Sequence, residues 1–343
     1  MSLRGETAMA AARSDGDMQT LDLPDVARTR LIGMLSALTA ALFFSVNDMT
    51  IKFLSGGYAL HQVILIRSFV SLMVLLAVIV PLRGGYGALR TRRYGMHLLR
   101  GLCVVIANMF FFLALAALPL GEAVAISFVS PLMITIFSVI FLGESVGPRR
   151  WIATGVGFLG VMIVLRPGTE AFQPAALLPL IAAVAYATLQ ILTRKLGGTD
   201  SAVAMTFFIQ LTFISVSSAM GLAFGDGRLA GTGDASLDFL FRAWIWPPVS
   251  DWKFLLVLGT ANALGAFLIS QAYRSCEVAL IAPFEYAAMP MAIVWGLVIF
   301  AEWPDAVAWM GILLILAGGL YLAWREGLAG RRRSSLLPGR RAG

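Results

Sequence analysis

The feature that most constrains this chain is the recurrence, from residue 31 to residue 324, of apolar runs about 20 residues long, each bounded by charged or turn-forming residues. A helix rises about 1.5 Å per residue, so roughly 20 apolar residues cross the hydrocarbon core of a bilayer. Ten such runs emerge, over residues 31–54, 61–81, 95–117, 121–142, 149–165, 175–194, 202–224, 252–273, 278–300 and 305–324. A soluble chain of 343 residues would need polar surface over two or three cores, and a chain 59% hydrophobic and 13% charged has too little of it. Lipid cannot satisfy bare backbone groups, and the runs lack the alternation of barrel strands, so the spans are helices. The fold class expected is an all-α membrane protein with ten transmembrane helices.

Basic residues set the orientation. With the N-terminus inside, 20 of the 26 lysines and arginines fall on the cytoplasmic side, among them Arg90, Arg92, Arg93, Arg149, Arg150 and the six arginines from Arg325 to Arg341. Lys52, Arg166, Arg228, Arg242 and Lys253 fall outside, and Arg67 lies within the second span. The net charge of +7 is therefore a topology signal and gives no support to nucleic-acid binding. Residues 1–30 read as a disordered cytoplasmic tail without a cleavable signal, and 325–343 as a basic cytoplasmic tail. That second tail fits either a stop-transfer flank or a contact with anionic headgroups. The localisation expected is a bacterial-type inner membrane, with both termini cytoplasmic.

The two halves match each other. At an offset of 142, Phe44 lies over Tyr186, Asp48 over Gln190, Lys52 over Arg194 and Leu54 over Leu196. Glu122 lies over Glu277, and the stretch around Glu144 over that around Glu302. Five helices per half turn the second half upside down, so residues 31–165 and 175–324 are expected to be two inverted five-helix repeats.

The run "ALPLGEAVAISFVSPLMITIFSVIFLGE" from Ala117 to Glu144, the following "GFLGVMIVLRPG" and "NDMTIKFL" in the first span resemble the drug/metabolite transporter superfamily, EamA type. The resemblance covers residues 31–324. It implies a secondary transporter of the inner membrane with a central cavity formed by the first four helices of each half. It also implies a solute among amino acids and their derivatives, nucleotide-like metabolites, S-adenosylmethionine, riboflavin or toxic cations.

An ionisable residue at bilayer depth is costly and therefore a candidate. Asp48, beside Asn47, fits a proton or cation site or a structural pair with Lys52 one turn on. Arg67 fits an anchor for a substrate carboxylate or phosphate, or an ion pair with a neighbouring helix. Glu285 stands between Pro283 and Pro290 with Tyr286 beside it, where freed carbonyls are tolerated next to a cavity. Pro131, after Ser127 and Ser130, is the partial counterpart of Pro290, so both helices are expected to bend. Asp48 and Glu285 are the proton-coupling candidates; Arg67, Phe44, Asn108, Ser130, Tyr186, Gln190, Gln210, Tyr286 and Trp295 are the substrate-binding ones. Asn108, Gln190, Gln210, Asn262 and Gln271 equally fit interhelical hydrogen bonding. The aromatics, including Phe43 and Met109–Phe112, equally fit packing or lipid contact.

The remaining motifs exclude other chemistries. Gly155, Gly157 and Gly160 match a dinucleotide fingerprint but lie inside a span, where small residues allow close helix packing. His61 and His97 sit at span ends, and Cys103 and Cys276 read as packed thiols, so no metal centre, catalytic triad or disulfide is expected. No cofactor is expected. The connection Gly225–Asp251, with "WIWPP", reads as an interfacial tryptophan belt or a lid.

The function expected is secondary active transport of a small amphipathic metabolite, an amino-acid derivative or a cofactor-like solute, by alternating access and with proton coupling. A broad-range exporter is the alternative. An integral-membrane enzyme is a more distant one, because the connecting loops lack paired histidines and aspartates. The partners are the solute and the bilayer, with the chain a monomer or a homodimer.

Overall fold

A computed structural model describes residues 23–82, 85–143, 147–170, 172–196, 200–275 and 284–335. Among them all regular structure is helical. The principal helices are α1 (Leu23–Leu54), α2 (Leu60–Leu82), α3 (Tyr94–Ala117), α4 in two pieces (Leu120–Ser127 and Ser130–Leu142) and α5 (Pro148–Leu165). They continue as α6 (Leu178–Leu196), α7 (Ala202–Phe224), α8 (Trp252–Ser275), α9 (Ala288–Phe300) and α10 (Ala306–Ser335). Seven stretches are long and apolar enough to cross a membrane, and Trp151–Leu165, Ala288–Phe300 and Ala306–Tyr321 are shorter apolar helices.

Two boundaries differ from expectation. Helix α1 begins at Leu23, so the last part of the supposed disordered tail is helical, with Pro24 in the first turn, where its missing N–H costs nothing. Helix α10 runs to Ser335, beyond the predicted end at residue 324, because no proline occurs before Pro338 and an existing helix extends cheaply.

Prolines explain the irregular turns inside the spans. Pro131 cannot donate to the Ser127 carbonyl and its ring collides there, and α4 opens at Phe128–Val129. Pro290 has the same relation to Tyr286, and Tyr286–Ala287 form a turn before α9. In α2 a wider π turn, Leu75–Ile79, precedes Pro81. Pro283 lies outside the described residues, as do Glu144, Glu277 and Cys276, together with the Arg194 side chain.

Helix α1 packs on α8 and α9, and α3 on α6 and α7. Helix α2 lies against α7 and α8, α4 against α6 and α9, and α5 against α10. Leu60, Ile64, Leu115, Leu120, Ile126, Leu255 and Leu258 fill the buried core. Close approach of α5 and α10 rests on glycine: a Cβ on Gly160 would lie 2.7 Å from the Gly311 carbonyl oxygen. Gly155, Gly157 and Gly160 are thus residues of a packed helix, with no strand before them.

The connection 225–251 holds a short helix, Ala235–Phe241, capped by Asp234. It is fastened to the α1–α2 turn and to α2 and α3. Arg242 donates to the Ser55 carbonyl at 2.6 Å, and Ser236 to the Leu113 carbonyl at 2.8 Å. Trp244 Nε1 donates to His61 Nδ1, Gln62 to the Ile245 carbonyl, and the Tyr58 hydroxyl to Asp251, each at 2.5 Å. Trp246 is 85% exposed, as an interfacial tryptophan would be.

Candidate functional site

Arg67 is 1% exposed, and its guanidinium lies over two rings, 5.2 Å from the centre of Phe112 on α3 and 4.9 Å from that of Phe213 on α7. Such stacking suits a delocalised planar cation. None of its three nitrogens has a hydrogen-bond partner among the described residues. The carboxylate whose field reaches it is that of Asp48 on α1, which accepts from Asn47 Nδ2 at 2.9 Å. By helix rise, both lie about 10 Å from the α1–α2 turn. Helices α1, α2, α3 and α7 therefore bring these four side chains and Asn47 together. Phe213 carried no signal of its own beyond standing one turn from Gln210.

Lys52 does not pair with Asp48. Its ammonium reaches Glu302 at 2.9 Å and the Leu118 carbonyl at the end of α3, and lies over the Phe300 ring. The long stem carries the charge past its own helix, and Glu302 also accepts the Leu120 amide at 3.0 Å, capping α4. Arg166 at the end of α5 pairs with Asp305 at the start of α10. At the opposite end of the helices, His97 and Thr91 bond Asp200 at 2.7 and 3.0 Å, and Ser201 donates to the Ala88 carbonyl at 2.6 Å. The His97 hydrogen bond holds the Asp200 carboxyl below its ordinary range.

A second cluster joins α6 to the start of α9. The Tyr186 hydroxyl bonds Gln190 one turn on and lies within the field of Glu285, while 36% of the tyrosine remains accessible. Gln190 and Glu285 are half-buried. Tyr286 stacks on Phe128 at the opening of α4, with centroids 4.8 Å apart and planes 22° apart, and its hydroxyl fits against Gly319. Trp295 donates to Ser45 at 3.2 Å, joining α9 to α1.

The remaining candidates have local partners or packing roles. Asn108 donates to the carbonyl of Val104 on its own helix at 3.1 Å, whereas Asn262 donates to Ser71 across α8 and α2 at 3.0 Å. The ring of Phe44 lies on the backbone of Gly265. Gln210 is 3% exposed, and among the described residues its amide oxygen has no partner. Ser130 and Pro131 open the second piece of α4, and Pro290 lies in the first turn of α9. Cys103 is a buried free thiol. Among the described residues no group of histidines, cysteines and acids could hold a metal.

Comparison with known proteins places this arrangement. Residues 31–166 match the EamA-like transporter family. A riboflavin transporter of Rhizobium johnstonii is 30% identical over 244 residues, which are 71% of this chain and 75% of that protein. An S-adenosylmethionine uptake transporter of Rickettsia prowazekii is 28% identical over 302 residues, 88% of this chain and 96% of that protein. A pseudopaline exporter of Pseudomonas aeruginosa is 25% identical over 296 residues, 85% and 95% of the two chains. A crystal structure at 20% identity has the same fold, with a TM-score of 0.59 over 88% of this chain and 98% of the other.

Proposed function

As this chain belongs to the EamA-like transporter family of the drug/metabolite transporter superfamily, we propose that it carries a small amphipathic metabolite across a bacterial inner membrane by proton-coupled alternating access. The solute is an amino-acid derivative or a cofactor-like compound, the chemistry named for the relatives that carry S-adenosylmethionine and riboflavin. In this reading ten spans form two inverted repeats, 31–165 and 175–324, with both tails cytoplasmic.

The observation that carries the reading is the pattern of helix packing. Moving every helix number by five turns α1 on α8 into α6 on α3, α2 on α8 into α7 on α3, and α1 on α9 into α6 on α4. The pairs α2–α7, α4–α9 and α5–α10 map onto themselves. A pseudo-two-fold axis between the halves would exchange contacts in this way, which supports the inverted-repeat reading. The register that sets Glu144 over Glu302 also sets Phe128 over Tyr286, the stacked pair, and Gly143 over Ala301. Those last two residues end α4 and α9 in the same left-handed conformation, φ 65° and 54°.

Asp48 and Glu285 carry the coupling, since a carboxyl inside a span that exchanges a proton between the two states links flux to a pH gradient. The test uses proteoliposomes loaded with the purified chain, with radiolabelled riboflavin and S-adenosylmethionine as solutes. Glu285→Gln is expected to abolish accumulation driven by an imposed pH gradient while solute exchange persists. Gradient-driven accumulation equal to that of the unaltered protein would remove Glu285 from the coupling, and no flux of either solute in any state would reject these substrates.

A further inference from the structure

Arg67 and Asp48 are opposite charges at one depth in the helix bundle, about 10 Å below the α1–α2 turn, and among the described residues no ion pair joins them. Among the described residues no group accepts from Nε or from either terminal nitrogen of the guanidinium, although the side chain is 1% exposed. A buried charge without a partner is strongly destabilising, so an unpaired buried guanidinium is a liability that calls for an explanation. Phe112 and Phe213 each present a ring to the guanidinium carbon. The N–H fork matches a carboxylate in two parallel hydrogen bonds.

Asp48 supplies the other half. One of its oxygens accepts from Asn47 Nδ2, and that bond fixes the amide so that Asn47 Oδ1, buried and unpartnered among the described residues, is left to accept. An ammonium has three N–H donors, and the Asp48 carboxylate with Asn47 Oδ1 beside it offers acceptors for them.

We propose that Asp48 and Arg67 form a clamp for a free α-amino-acid head, with Arg67 holding the carboxylate and Asp48 with Asn47 holding the ammonium. This rests on the transport reading and narrows its solute to a zwitterion. A phosphate would gain from Arg67 but meet the Asp48 carboxylate, and a simple cation would gain from Asp48 but meet the guanidinium. A group carrying both charges gains from both.

The test is ligand-induced thermal stabilisation of the full chain in detergent, titrated with matched compounds. S-adenosylmethionine, S-adenosylhomocysteine and methionine carry the head; decarboxylated S-adenosylmethionine lacks the carboxylate, and 5′-methylthioadenosine lacks the whole head. Riboflavin and inorganic phosphate complete the set. At least one head-bearing compound is expected to stabilise the protein, with a tenfold or greater loss of affinity when the carboxylate is missing. Arg67→Lys, which keeps the charge but loses the fork, is expected to weaken that compound tenfold or more, and Asp48→Asn to weaken it likewise.

Equal binding of a compound and its decarboxylated partner would overturn the clamp, as would stabilisation by riboflavin or phosphate with none from any zwitterion, or no shift from any compound. The matched compounds decide this on the unaltered chain even if a variant does not fold. Flux in proteoliposomes separates the two readings. Carriage of riboflavin without any zwitterion would leave the transporter and remove the clamp, whereas head-specific binding without flux would leave the clamp and remove the transporter.

Discussion

Asp305 accepts from the Ala308 amide at 2.8 Å at the start of α10 and also pairs with Arg166. Its hydrogen bond with Arg166 pulls the carboxyl below its ordinary value of 3.8. A carboxyl with a folded value below its unfolded one stabilises the fold fully above the unfolded value, and that contribution disappears as pH falls through the folded value. Asn caps a helix about as well as Asp, so Asp305→Asn removes the charge and spares the cap. The variant is expected to melt lower than the parent by a constant margin between about pH 5 and 8, with the margin closing below the ordinary carboxylate value. Melting curves across pH check this, and a margin that widens on acidification would reject the pairing. Single residues differ in how plainly the sequence exposes them. Asp48, Arg67 and Glu285 stand out because a charge in an apolar run is rare, whereas Phe112 and Phe213 do not, because aromatics fill spans for many reasons. Lys52 misleads: its spacing from Asp48 suits a helical pair, but the partner it takes, Glu302, is 250 residues away, where no local spacing points.

Among the elements, helix α5 contrasts two glycines that a sequence motif treats alike. A Cβ on Gly155 would meet nothing within 4 Å, while one on Gly160 would meet Gly311's carbonyl oxygen at 2.7 Å and Ile315 at 2.9 Å. Alanine in an open helix position gains roughly 1 kcal/mol over glycine, so Gly155→Ala is expected to raise the melting temperature slightly. Gly160→Ala forces backbone apart and is expected to cost about 1–3 kcal/mol, read as a clear fall in melting temperature. Equal effects of the two substitutions would contradict the α5–α10 contact. The seven long spans were legible because a bilayer demands one length and one composition from every crossing helix. Pro131 announced the bend in α4, but not that Phe128 would stack on Tyr286 there, since stacking depends on how the two halves meet. The ends of α1 and α10 were the least legible, because helix can continue into water without an apolar signal.

For the whole molecule, the two halves are tied at both ends of the bundle. Lys52–Glu302, Arg166–Asp305, Tyr58–Asp251 and Arg242 with Ser55 join them near the α1–α2 turn, and His97–Asp200 with Ser201–Ala88 joins them at the other end. Between these ends Arg67 is shut away from solvent. If the halves rock about the Phe128–Tyr286 stack, the ties at one end must part while those at the other hold, and each tie is short-lived in the cycle. Lys52–Glu302 is the one to lock, because it connects α1 to the α9–α10 turn and also caps α4. In a chain carrying Cys103→Ser and Cys276→Ser, the further changes Lys52→Cys and Glu302→Cys place one thiol on each half. Bridging them with a short, cleavable bifunctional thiol reagent is expected to stop flux in proteoliposomes while ligand-induced thermal stabilisation persists, and cleaving the bridge is expected to restore flux. Full flux with the bridge intact would mean that this end of the bundle stays closed throughout transport, and the rocking of the two halves would have to be abandoned.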